Sequence, residues 1–465
     1  MKSNEIKKQE VDLVIQGGTA ITVDPERRVI RDAYIAVQGE NLVFVGKATE
    51  ASERYQGKKT LDCRDKVILP GIVNSHVHYS HHLSKGLIPD TLGPAVQSNF
   101  THTKASPQLT AENEIWGAKA MLLEMLKSGT TTFLEAGSYH PFEILQSGIE
   151  RIGMKGMMGR RASDRESLGH TSLMESTDDI LKYQEKLLKE FGRQKLIRPC
   201  VTIVGLQRFT DRLAIEAKKM ADRYGTLFKL HVAAWVDSMN ECRKRNGCRE
   251  VEQLERLGVL DKNVVLVHML YVNRKEVNIL AKRGTKVVHC PSAGVKLGYP
   301  FIFGRFPDML EAGIPVALGT DGSDCSNYHD MVRVMNLAAV LYKGLQFDPE
   351  VMGAEQAIEM ATLNGAKTMG LEKEIGSLEV GKKADIVIFD TNRQEWRPLF
   401  NPVQNLVHSA TGDSVETVII NGNIVMDKRK VLTVDEGEIL DRLRAMEKDL
   451  MARMDIPIIS PWKFV

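Results

Sequence analysis

Short apolar runs rich in branched residues alternate with helical patterns along most of the chain. The first run, KVILPGIVNSH, precedes the helical pattern TAENEIWGAKAMLLEMLKSG, and the last, IPVALGTDG, precedes HDMVRVMNLAAVLYKG. We count eight such strand and helix pairs. Strands that alternate with helices predict a parallel sheet, and eight pairs are what a (β/α)8 barrel requires. The pattern therefore predicts an α/β fold with a TIM-like barrel over residues 67–379, and a doubly wound open sheet is the alternative.

The chain on both sides of these pairs has a different pattern. Alternating positions with turn pairs occur in VQGENLVFVG near the start and in IINGNIVM near the end, which is typical of β-hairpins. We predict that residues 1–66 and 380–432 form one small β-sandwich domain built from both termini. The following stretch, EGEILDRLRAMEKDLMARM, predicts a C-terminal helical extension over residues 433–465.

Charge and composition exclude several classes of partner. The 62 Lys and Arg residues nearly balance the 60 Asp and Glu residues without a basic block, which argues against nucleic acid and against an anionic membrane surface. The charged N-terminus lacks an apolar signal core, and no apolar run is long enough to cross a bilayer. We therefore expect a cytoplasmic protein that binds a small-molecule substrate. The six cysteines lack CxxC spacing, which argues against a disulfide framework and a structural zinc cluster.

Histidines are concentrated where strands are predicted to end. The segment LPGIVNSHVHYSHHL holds four of the 12 histidines directly after an apolar run. His76 and His78 are two residues apart on a strand, so their side chains point to the same face. Other metal-competent side chains end the fifth to eighth predicted strands: His231, His268, His289 and Asp321. Because these strand ends meet at one rim of a barrel, and because imidazole and carboxylate bind divalent ions, the pattern predicts a metal site.

Several motifs together resemble the amidohydrolase superfamily: LPGIVNSHVH, GTTTF, LVHM, VHCPSAGVKLG, LGTDGSDCSN and GSLEVGKKADIVIFD. The resemblance covers nearly the whole chain and is to the branch of cytosine, guanine and triazine deaminases and chlorohydrolases. It implies one divalent metal ion held by His76, His78, His231 and Asp321, with a bound water attacking a carbon bonded to nitrogen, oxygen, sulfur or halogen. Zinc is the expected ion, although iron, cobalt and manganese use the same ligands. The end of the fourth strand, TIVGLQR, lacks the carboxylated lysine of binuclear members.

The residues at this rim have distinct expected roles. Ligation by imidazoles and a carboxylate lowers the pKa of bound water from about 15.7 toward about 7, which provides hydroxide at neutral pH. Asp321 is placed to accept the proton of that water. His268 is placed to polarise the substrate or to stabilise negative charge, and His289 either joins it or supports the ligands from outside.

One position departs from the deaminases of this branch. They carry a glutamate three residues after the strand-five histidine, where it moves a proton to the ring nitrogen and the leaving ammonia, whereas this chain has Ala234. Asp237 and Glu241 follow in the same loop and are the candidate replacements. The segment HCPSAG also has Ala293 and Gly294 where relatives usually have Ser and Asn. Both differences weaken the assignment as a ring deaminase.

Three functions are therefore open. The main hypothesis is hydrolysis of the C–N, C–S or C–O bond of a small amide, carbamate, thiocarbamate or urea, as in the molinate and phenylurea hydrolase group, because such leaving groups need less protonation. The alternative is an aminohydrolase acting on a purine, pterin or triazine ring with a displaced proton shuttle. A non-catalytic scaffold relative is the third, and the complete ligand set argues against it. Oligomers are common in the superfamily, so we expect a homodimer or homotetramer.

Other side chains near the same rim are candidates for substrate binding. Tyr79, Trp235 and Tyr299 lie on different predicted loops and form an aromatic wall or belong to the ordinary core. Arg160, near the end of the third strand, and Gln207, near the end of the fourth, are candidate orienting groups. A second arginine follows Arg160, and adjacent residues on a strand face opposite ways, so at most one of the two points inward. The third and fourth histidines of LPGIVNSHVHYSHHL are expected to line the mouth of the pocket.

Overall fold

The computed structural model describes residues 8–88, 108–166, 174–299, 301, 304–454, 460, 462 and 463. The chain divides into two compact units, each built from segments that are far apart in the sequence. The first consists of Met1–Val73, Met125–Thr132 and Asp330–Val434, and the second of Asn74–Glu124, Phe133–His329 and Asp435–Val465. The domain boundaries that follow residues 66, 379 and 432 stay a prediction.

Strands and helices alternate through the middle of the chain, as the apolar pattern predicts. In chain order the strands are β1 (Gln9–Ile21), β2 (Val29–Gln38), β3 (Asn41–Lys47), β4 (Tyr55–Asp62), β5 (Lys66–Pro70), β6 (Ile72–His78), β7 (Thr130–Glu135), β8 (Lys155–Met158), β9 (Ile197–Pro199), β10 (Val201–Gly205), β11 (Phe228–Val232), β12 (Val264–His268), β13 (Lys286–His289), β14 (Val316–Leu318), β15 (Asp321–Gly322), β16 (Ile386–Asp390), β17 (Val415–Ile420), β18 (Asn423–Asp427) and β19 (Lys430–Val431). The α-helices are α1 (Ala48–Ala51), α2 (Ala111–Lys127), α3 (Pro141–Gln146), α4 (Thr177–Phe191), α5 (Asp211–Arg223), α6 (Val236–Asn246), α7 (Glu250–Arg256), α8 (Arg274–Arg283), α9 (Pro291–Lys296), α10 (Phe306–Glu311), α11 (Met331–Gln346), α12 (Ala354–Ala361), α13 (Leu363–Met369), α14 (Pro402–His408) and α15 (Glu436–Met454).

The strands near the two ends of the chain form one nine-stranded sheet. Its order is β19-β18-β17-β16-β5-β1-β2-β3, and β4 pairs with β1. Strands from both ends meet where β5 pairs antiparallel with β16, with Ile68 opposite Ile388. Along β2, Ile35 packs in one apolar cluster and its neighbours Tyr34 and Ala36 pack in another, as the period of a strand requires. Hydrogen bonds join these strands into a single sheet, and their division into the two layers of a sandwich stays a prediction.

The hairpin between β17 and β18 turns on Asn421 and Gly422, whose φ angles are 49° and 76°. This is the two-residue turn that the segment IINGNIVM predicts. A Cβ atom on Gly422 would lie 2.2 Å from the carbonyl oxygen of Gly39. We therefore expect Gly422→Ala to lower the free energy of unfolding by about 1–3 kcal/mol in urea denaturation, because it combines a clash with an unfavourable φ.

Gly344 provides a matched control for this substitution. It lies within α11, where a Cβ atom added to it would have no described neighbouring atom within 4 Å outside the backbone of its own helix. Gly344→Ala is expected to raise the free energy of unfolding by about 0.5–1 kcal/mol, since alanine has the higher helix propensity. An unfolding free energy of Gly422→Ala equal to that of the parent chain would contradict the close approach at Gly39.

The strand-end histidines lie on two parallel sheets. One five-stranded sheet has the order β15-β6-β7-β8-β9, and the other has the order β10-β11-β12-β13-β14. Only Cys200 separates β9 from β10, and only Gly319 and Thr320 separate β14 from β15. The strands and helices thus have a TIM-barrel-like α/β organisation, and closure of the two sheets into one barrel stays a prediction.

Helices between these strands begin and end at residues that favour helix termini. The side chain of Asn273 accepts a hydrogen bond from the backbone N–H of Glu276 at the start of α8, and the Glu276 side chain accepts one from the backbone N–H of Asn273. The same helix ends at Gly284 and α6 ends at Gly247, both with φ of 67°. These caps set the lengths of the helices and thereby the positions of the strands that follow.

The helical stretch predicted near the C-terminus forms α15. Met446 and Leu450 of this helix pack in an apolar cluster with Leu109 and against Trp116. Within the described residues, no helix, α15 included, combines the length and the apolar character needed to cross a bilayer. Residues 455–459, 461, 464 and 465 of the predicted extension lie outside the described residues.

The cysteines follow the prediction from their spacing. All six are free thiols, and five of them are buried. Burial raises the pKa of Cys63 and of Cys200 to about 12, so these thiols are protonated at neutral pH.

Candidate metal centre

The predicted ligands lie at or near the ends of buried apolar strands. In β12, whose sequence is VVLVH, every residue is buried and the polar side chain comes last. His78 likewise ends β6, and His231 is the penultimate residue of β11. The backbone has positive φ at His268 (79°) and at Asp321 (67°), a conformation that is strained in residues other than glycine. The fold therefore holds these two side chains in place against a local conformational preference.

The four predicted ligands and His268 form one cluster. Oδ1 of Asp321 lies 3.4 Å from Nε2 of His76 and 3.3 Å from Nε2 of His78. Nε2 of His231 lies 3.3 Å from Nε2 of His78, and Nε2 of His268 lies 3.9 Å from Oδ2 of Asp321. Residues from four different strands thus meet at these distances, as the strand-end pattern predicts.

The donor atoms of this cluster fit a divalent cation. Nδ1 of His231 lies 2.7 Å from the carbonyl oxygen of Val204, which can only accept, so this nitrogen carries the ring proton. Nε2 of His231 is therefore an unprotonated nitrogen, and it faces His78 at 3.3 Å. His76 is fully buried, yet neither of its ring nitrogens hydrogen-bonds to any described residue. Nitrogen lone pairs and a carboxylate that converge in this way are the ligands that zinc prefers.

Burial keeps the imidazoles in the form that binds metal. It lowers the pKa of His76, His78 and His231 well below the usual value for histidine. Burial opposes ionisation of Asp321 as well, but its contacts with His76 and His78 hold the pKa of that carboxyl well below its usual range. At neutral pH the cluster consists of neutral imidazoles and a carboxylate, which are the metal-binding protonation states.

A buried lysine lies near these ligands and was missed by the sequence analysis. Lys229 is two residues before His231 on β11, and its Nζ donates a hydrogen bond to the carbonyl oxygen of Leu134 at 2.9 Å. Burial lowers the pKa of Lys229 to about 8, and burial raises the pKa of Glu135, at the end of β7, to about 7. The sequence could have revealed it, because residues two apart on a strand, such as Lys229 and His231, face the same way.

His289 lies beside the cluster in an aromatic environment. Its ring stacks on Phe306 with centroids 3.9 Å apart and meets Phe301 edge-on at 5.6 Å. Burial, followed by the nearby His268, lowers the pKa of His289 to about 3. Its side chain is thus neutral and packed, and a catalytic role for it stays a prediction.

The sequence matches a known enzyme family over most of its length. A model of the amidohydrolase family matches residues 67–425. This chain belongs to the amidohydrolase family. It is therefore a metal-dependent hydrolase that acts on carbon–nitrogen bonds, which confirms the predicted class of enzyme, while the predicted branch within the superfamily stays a prediction.

Curated relatives of this amidohydrolase match it over nearly their whole length. The 5-methylthioadenosine/S-adenosylhomocysteine deaminase 1 of Syntrophus aciditrophicus is 30% identical over 450 residues, covering 97% of this chain and 100% of the relative. A 5-methylthioadenosine/S-adenosylhomocysteine deaminase of Moorella thermoacetica is 34% identical over 422 residues, covering 88% and 94%. The crystal structure of an adenosine deaminase from Xanthomonas campestris with bound zinc superposes with a TM-score of 0.89 at 25% identity, covering 96% and 100%.

Two of the aromatic side chains predicted to bind the substrate, Trp235 and Tyr299, contact each other, and Trp235 lies beside His268. The indole Nε1 of Trp235 donates a hydrogen bond to the hydroxyl of Tyr299 at 2.7 Å. The ring centroid of Trp235 is 6.0 Å from that of His268. Tyr79 instead is almost fully buried and packs on Phe133 at a centroid distance of 5.7 Å. Trp235 and Tyr299 thus belong to the surroundings of the cluster, and Tyr79 belongs to the packed interior.

Of the polar side chains predicted to bind the substrate, Arg160 has an acidic partner of its own, and its neighbour Arg161 contacts His78 instead. Arg160 pairs with Glu175 and lies over the ring of Tyr183, 3.8 Å from its centroid. Its neighbour Arg161 places Nη1 3.3 Å from Nδ1 of His78, so the structure brings the second arginine to the cluster. Gln207 is buried in the short 3-10 helix that follows β10.

The loops after β6 and β15 are tied together beside the cluster. His81 Nδ1 lies 3.0 Å from a carboxylate oxygen of Asp324, and His82 Nδ1 lies 3.1 Å from the hydroxyl of Ser323. The same hydroxyl lies 2.6 Å from Nε2 of His329. Both loop histidines therefore contact the segment that follows Asp321, and their expected position at the mouth of the pocket stays a prediction.

The carboxylate of Glu250 bonds to the backbone next to the position of the missing glutamate. Ala234 is buried, and the N–H of the preceding Ala233 donates a hydrogen bond to Glu250, which also accepts one from Ser238. Burial raises the pKa of Glu250 to about 7. The predicted replacements lie elsewhere on α6: Asp237 is exposed, and Glu241 pairs with Arg245 at 3.4 Å.

Proposed function

We propose that this amidohydrolase is a zinc-dependent deaminase that replaces the amino group of a purine-like ring with oxygen and releases ammonia. The observation that carries the proposal is the complete cluster of His76, His78, His231, His268 and Asp321, in which acceptor nitrogens and a carboxylate converge. The deaminases of nucleosides to which the chain is similar support a purine-like ring as the substrate. Ring deamination therefore takes precedence over the open-chain hydrolysis that the sequence analysis preferred.

The proposal includes one metal ion. His76, His78, His231 and Asp321 would hold it, and the zinc in the adenosine deaminase structure supports that choice of metal. When bound, the ion supplies a water whose pKa is lowered to about 7 and polarises the substrate.

The protein's own side chains then move the protons. Asp321 is the proton acceptor, because its carboxyl group is ionised. Its Oδ2 lies 3.9 Å from Nε2 of His268, so both side chains can face the same substrate. His268 donates a hydrogen bond to the ring atom that gains negative charge. Since Ala234 supplies no acid, Asp321 returns the proton to the leaving amino group. Trp235, 6.0 Å from His268, gives the ring an aromatic surface.

A second candidate function uses the same cluster. Hydrolysis of an open-chain amide, carbamate, thiocarbamate or urea is favoured by Ala234, because this reaction needs less protonation of the leaving group. The backbone N–H of Ala233 donates to Glu250, Asp237 is exposed, and Glu241 pairs with Arg245. Because neither residue is shown to replace the missing acid, open-chain substrates are tested beside the ring compounds.

The finer structural expectations belong to the same proposal. We propose a closed eight-stranded barrel, supported by the short breaks at Cys200 and at residues 319–320. A β-sandwich from both ends of the chain, a homodimer or homotetramer, and a cytoplasmic location are also proposed.

Turnover by zinc-loaded protein, measured by mass spectrometry with ammonia assayed in parallel, tests the proposal. The substrates are adenine nucleosides, aminated purines, pterins and triazines on one side, and ureas, carbamates, thiocarbamates and amides on the other. We expect one ammonia for each ring amino group replaced by oxygen. Release of an amine, alcohol or thiol from the open-chain compounds, with every ring compound unchanged, would reject the deaminase and support the second function.

A further inference from the structure

We propose that Glu250 positions Trp235 beside His268, so that the indole ring faces the ring of the substrate. The inference rests on the proposed function, since it names a residue that governs ring binding at the same site. Glu250 acts through the backbone and is therefore a positioning residue. The burial of its carboxylate and its hydrogen bonds on both sides of Trp235 support this role.

Glu250 is a buried carboxylate with a donor at each oxygen. It is the first residue of α7 and is 1% exposed. Its Oε2 accepts a hydrogen bond from the backbone N–H of Ala233, and its Oε1 accepts one from the hydroxyl of Ser238. An ionised carboxylate offers only acceptors, so both donors are matched. Ala233 precedes Trp235 by two residues and Ser238 follows it by three, so the two bonds enclose Trp235 in the sequence.

The backbone next to Trp235 makes a strained turn. Ala233 has a φ of 53°, a conformation that residues other than glycine rarely adopt. Its N–H donates to Glu250, and its carbonyl oxygen accepts from the N–H of Leu270 at 2.9 Å and of Tyr271 at 3.0 Å. Such a conformation persists only where the surroundings impose it. Loss of the acceptor at Glu250 would therefore allow the turn to relax and Trp235 to move.

The residue before Glu250 binds the loop that follows His268. β12 ends at His268, and the carbonyl oxygen of Tyr271, three residues further along, accepts a hydrogen bond from Nη2 of Arg249 at 2.6 Å. Two adjacent residues thus bind the segment after β11 and the segment after β12. The two loops are therefore fixed relative to each other, with the ring centroids of Trp235 and His268 6.0 Å apart.

Trp235 depends on this backbone for its orientation. It is half-buried directly before α6, and its Nε1 donates a hydrogen bond to the hydroxyl of Tyr299 at 2.7 Å. One hydrogen bond to another side chain does not fix the plane of an indole ring, so the position of the backbone decides which way the ring faces. A flat aromatic ring stacks on such a surface, which makes Glu250 a determinant of ring binding.

Acrylamide quenching of Trp235 fluorescence in the ligand-free protein tests the positioning. The chain has four tryptophans, so the signal of Trp235 is taken as the difference between each protein and its Trp235→Phe partner. Glu250→Leu removes both acceptors and should raise the quenching constant of Trp235 and shift its emission to longer wavelength. Glu250→Gln should restore the parent values, because its amide oxygen accepts from Ala233 and its amide nitrogen donates to Ser238.

Glu255→Leu is the matched control, because Glu255 lies on the same helix and pairs with Arg283 at 2.6 Å. It should leave the quenching of Trp235 unchanged, and the zinc content of every variant should equal that of the parent chain. An unchanged quenching constant in folded Glu250→Leu would overturn the inference. If Glu250→Leu fails to fold, as judged by circular dichroism, Ser238→Ala, which removes one of the two bonds, decides by the same criterion.

Calorimetric binding of purine to zinc-loaded protein tests the consequence for the substrate. Purine carries no amino group, so its binding is measured without release of ammonia. Glu250→Leu should weaken binding about three- to tenfold, as for one aromatic contact, and should have no further effect in a chain that carries Trp235→Ala. Equal losses in the two backgrounds would overturn the inference. A parent chain that does not bind purine would count against the proposed substrate class alone, because the quenching measurement needs no ligand.

Discussion

Asp321→Asn is expected to lower kcat/KM by about three orders of magnitude, because it removes the proposed proton acceptor and weakens a proposed metal ligand. Oδ1 of Asp321 lies within 3.4 Å of Nε2 in both His76 and His78, so the substitution also removes the negative charge that the cluster would offer to a divalent ion. Steady-state kinetics on the substrate found in the turnover screen, together with the zinc content of the purified variant, measure the two effects separately.

Asp324→Asn is the matched control for this prediction. Asp324 lies three residues further along the same loop, and its carboxylate contacts Nδ1 of His81 at 3.0 Å. We expect its effect on kcat/KM to be smaller than that of Asp321→Asn by at least about tenfold, because Asp324 contacts a loop histidine and is outside the proposed ligand set. Parent-like rate and zinc content in Asp321→Asn would reject the assigned role of Asp321.

Metal-free protein is expected to lose stability steeply as the pH falls from 7 to 5. Burial lowers the pKa of His82, His289 and His329 to about 3 in the folded chain, whereas an unfolded histidine titrates near about 6.5. The unfolded chain therefore binds more protons below about pH 6.5, and folding stability that is complete above this pH is lost below it. Each of the three histidines costs about 2 kcal/mol at pH 5. Glu135 and Glu250, whose pKa burial raises to about 7, offset about 4 kcal/mol of this by taking up protons in the folded chain. The lowered pKa of His76, His78 and His231 adds to the loss.

Urea denaturation of chelator-treated protein across this pH range, followed by circular dichroism, measures the loss. His329→Asn is the control variant, because it removes one of the three titrations, and its stability should depend less steeply on pH. A free energy of unfolding that is constant between pH 7 and 5 would show that these imidazoles remain accessible to protons in the folded chain.

Much of the fold and of the metal cluster could be predicted because both depend on short-range patterns. Apolar runs ending in histidine place His76, His78, His231 and His268 at strand ends, and parallel strands bring such ends together. The hairpin at residues 421–422 was likewise predictable, since its turn pair has a specific backbone conformation.

Contacts that depend on chain segments outside strands could not be predicted in this way. β8 ends at Met158, so the alternation of a strand no longer decides whether Arg160 or Arg161 faces the cluster. The hydrogen bond from Ala233 to Glu250 and the contact between Ser323 and His329 join loops to later segments, and no local pattern marks them. The substrate preference was affected most. Ala234, together with Ala293 and Gly294, suggested open-chain hydrolysis, and the similar deaminases reverse that preference.

The proposed metal ligands and the residues that face the substrate lie in different parts of the fold, so they can change independently during evolution. The cluster is anchored in strands, whereas Trp235 and Tyr299 lie in the segments that follow them. Insertions or substitutions in those segments can alter which molecule is accepted and leave the metal ligands in place. A lineage built on this arrangement can exchange one substrate for another in small steps, without passing through an ancestor that has lost its catalytic metal.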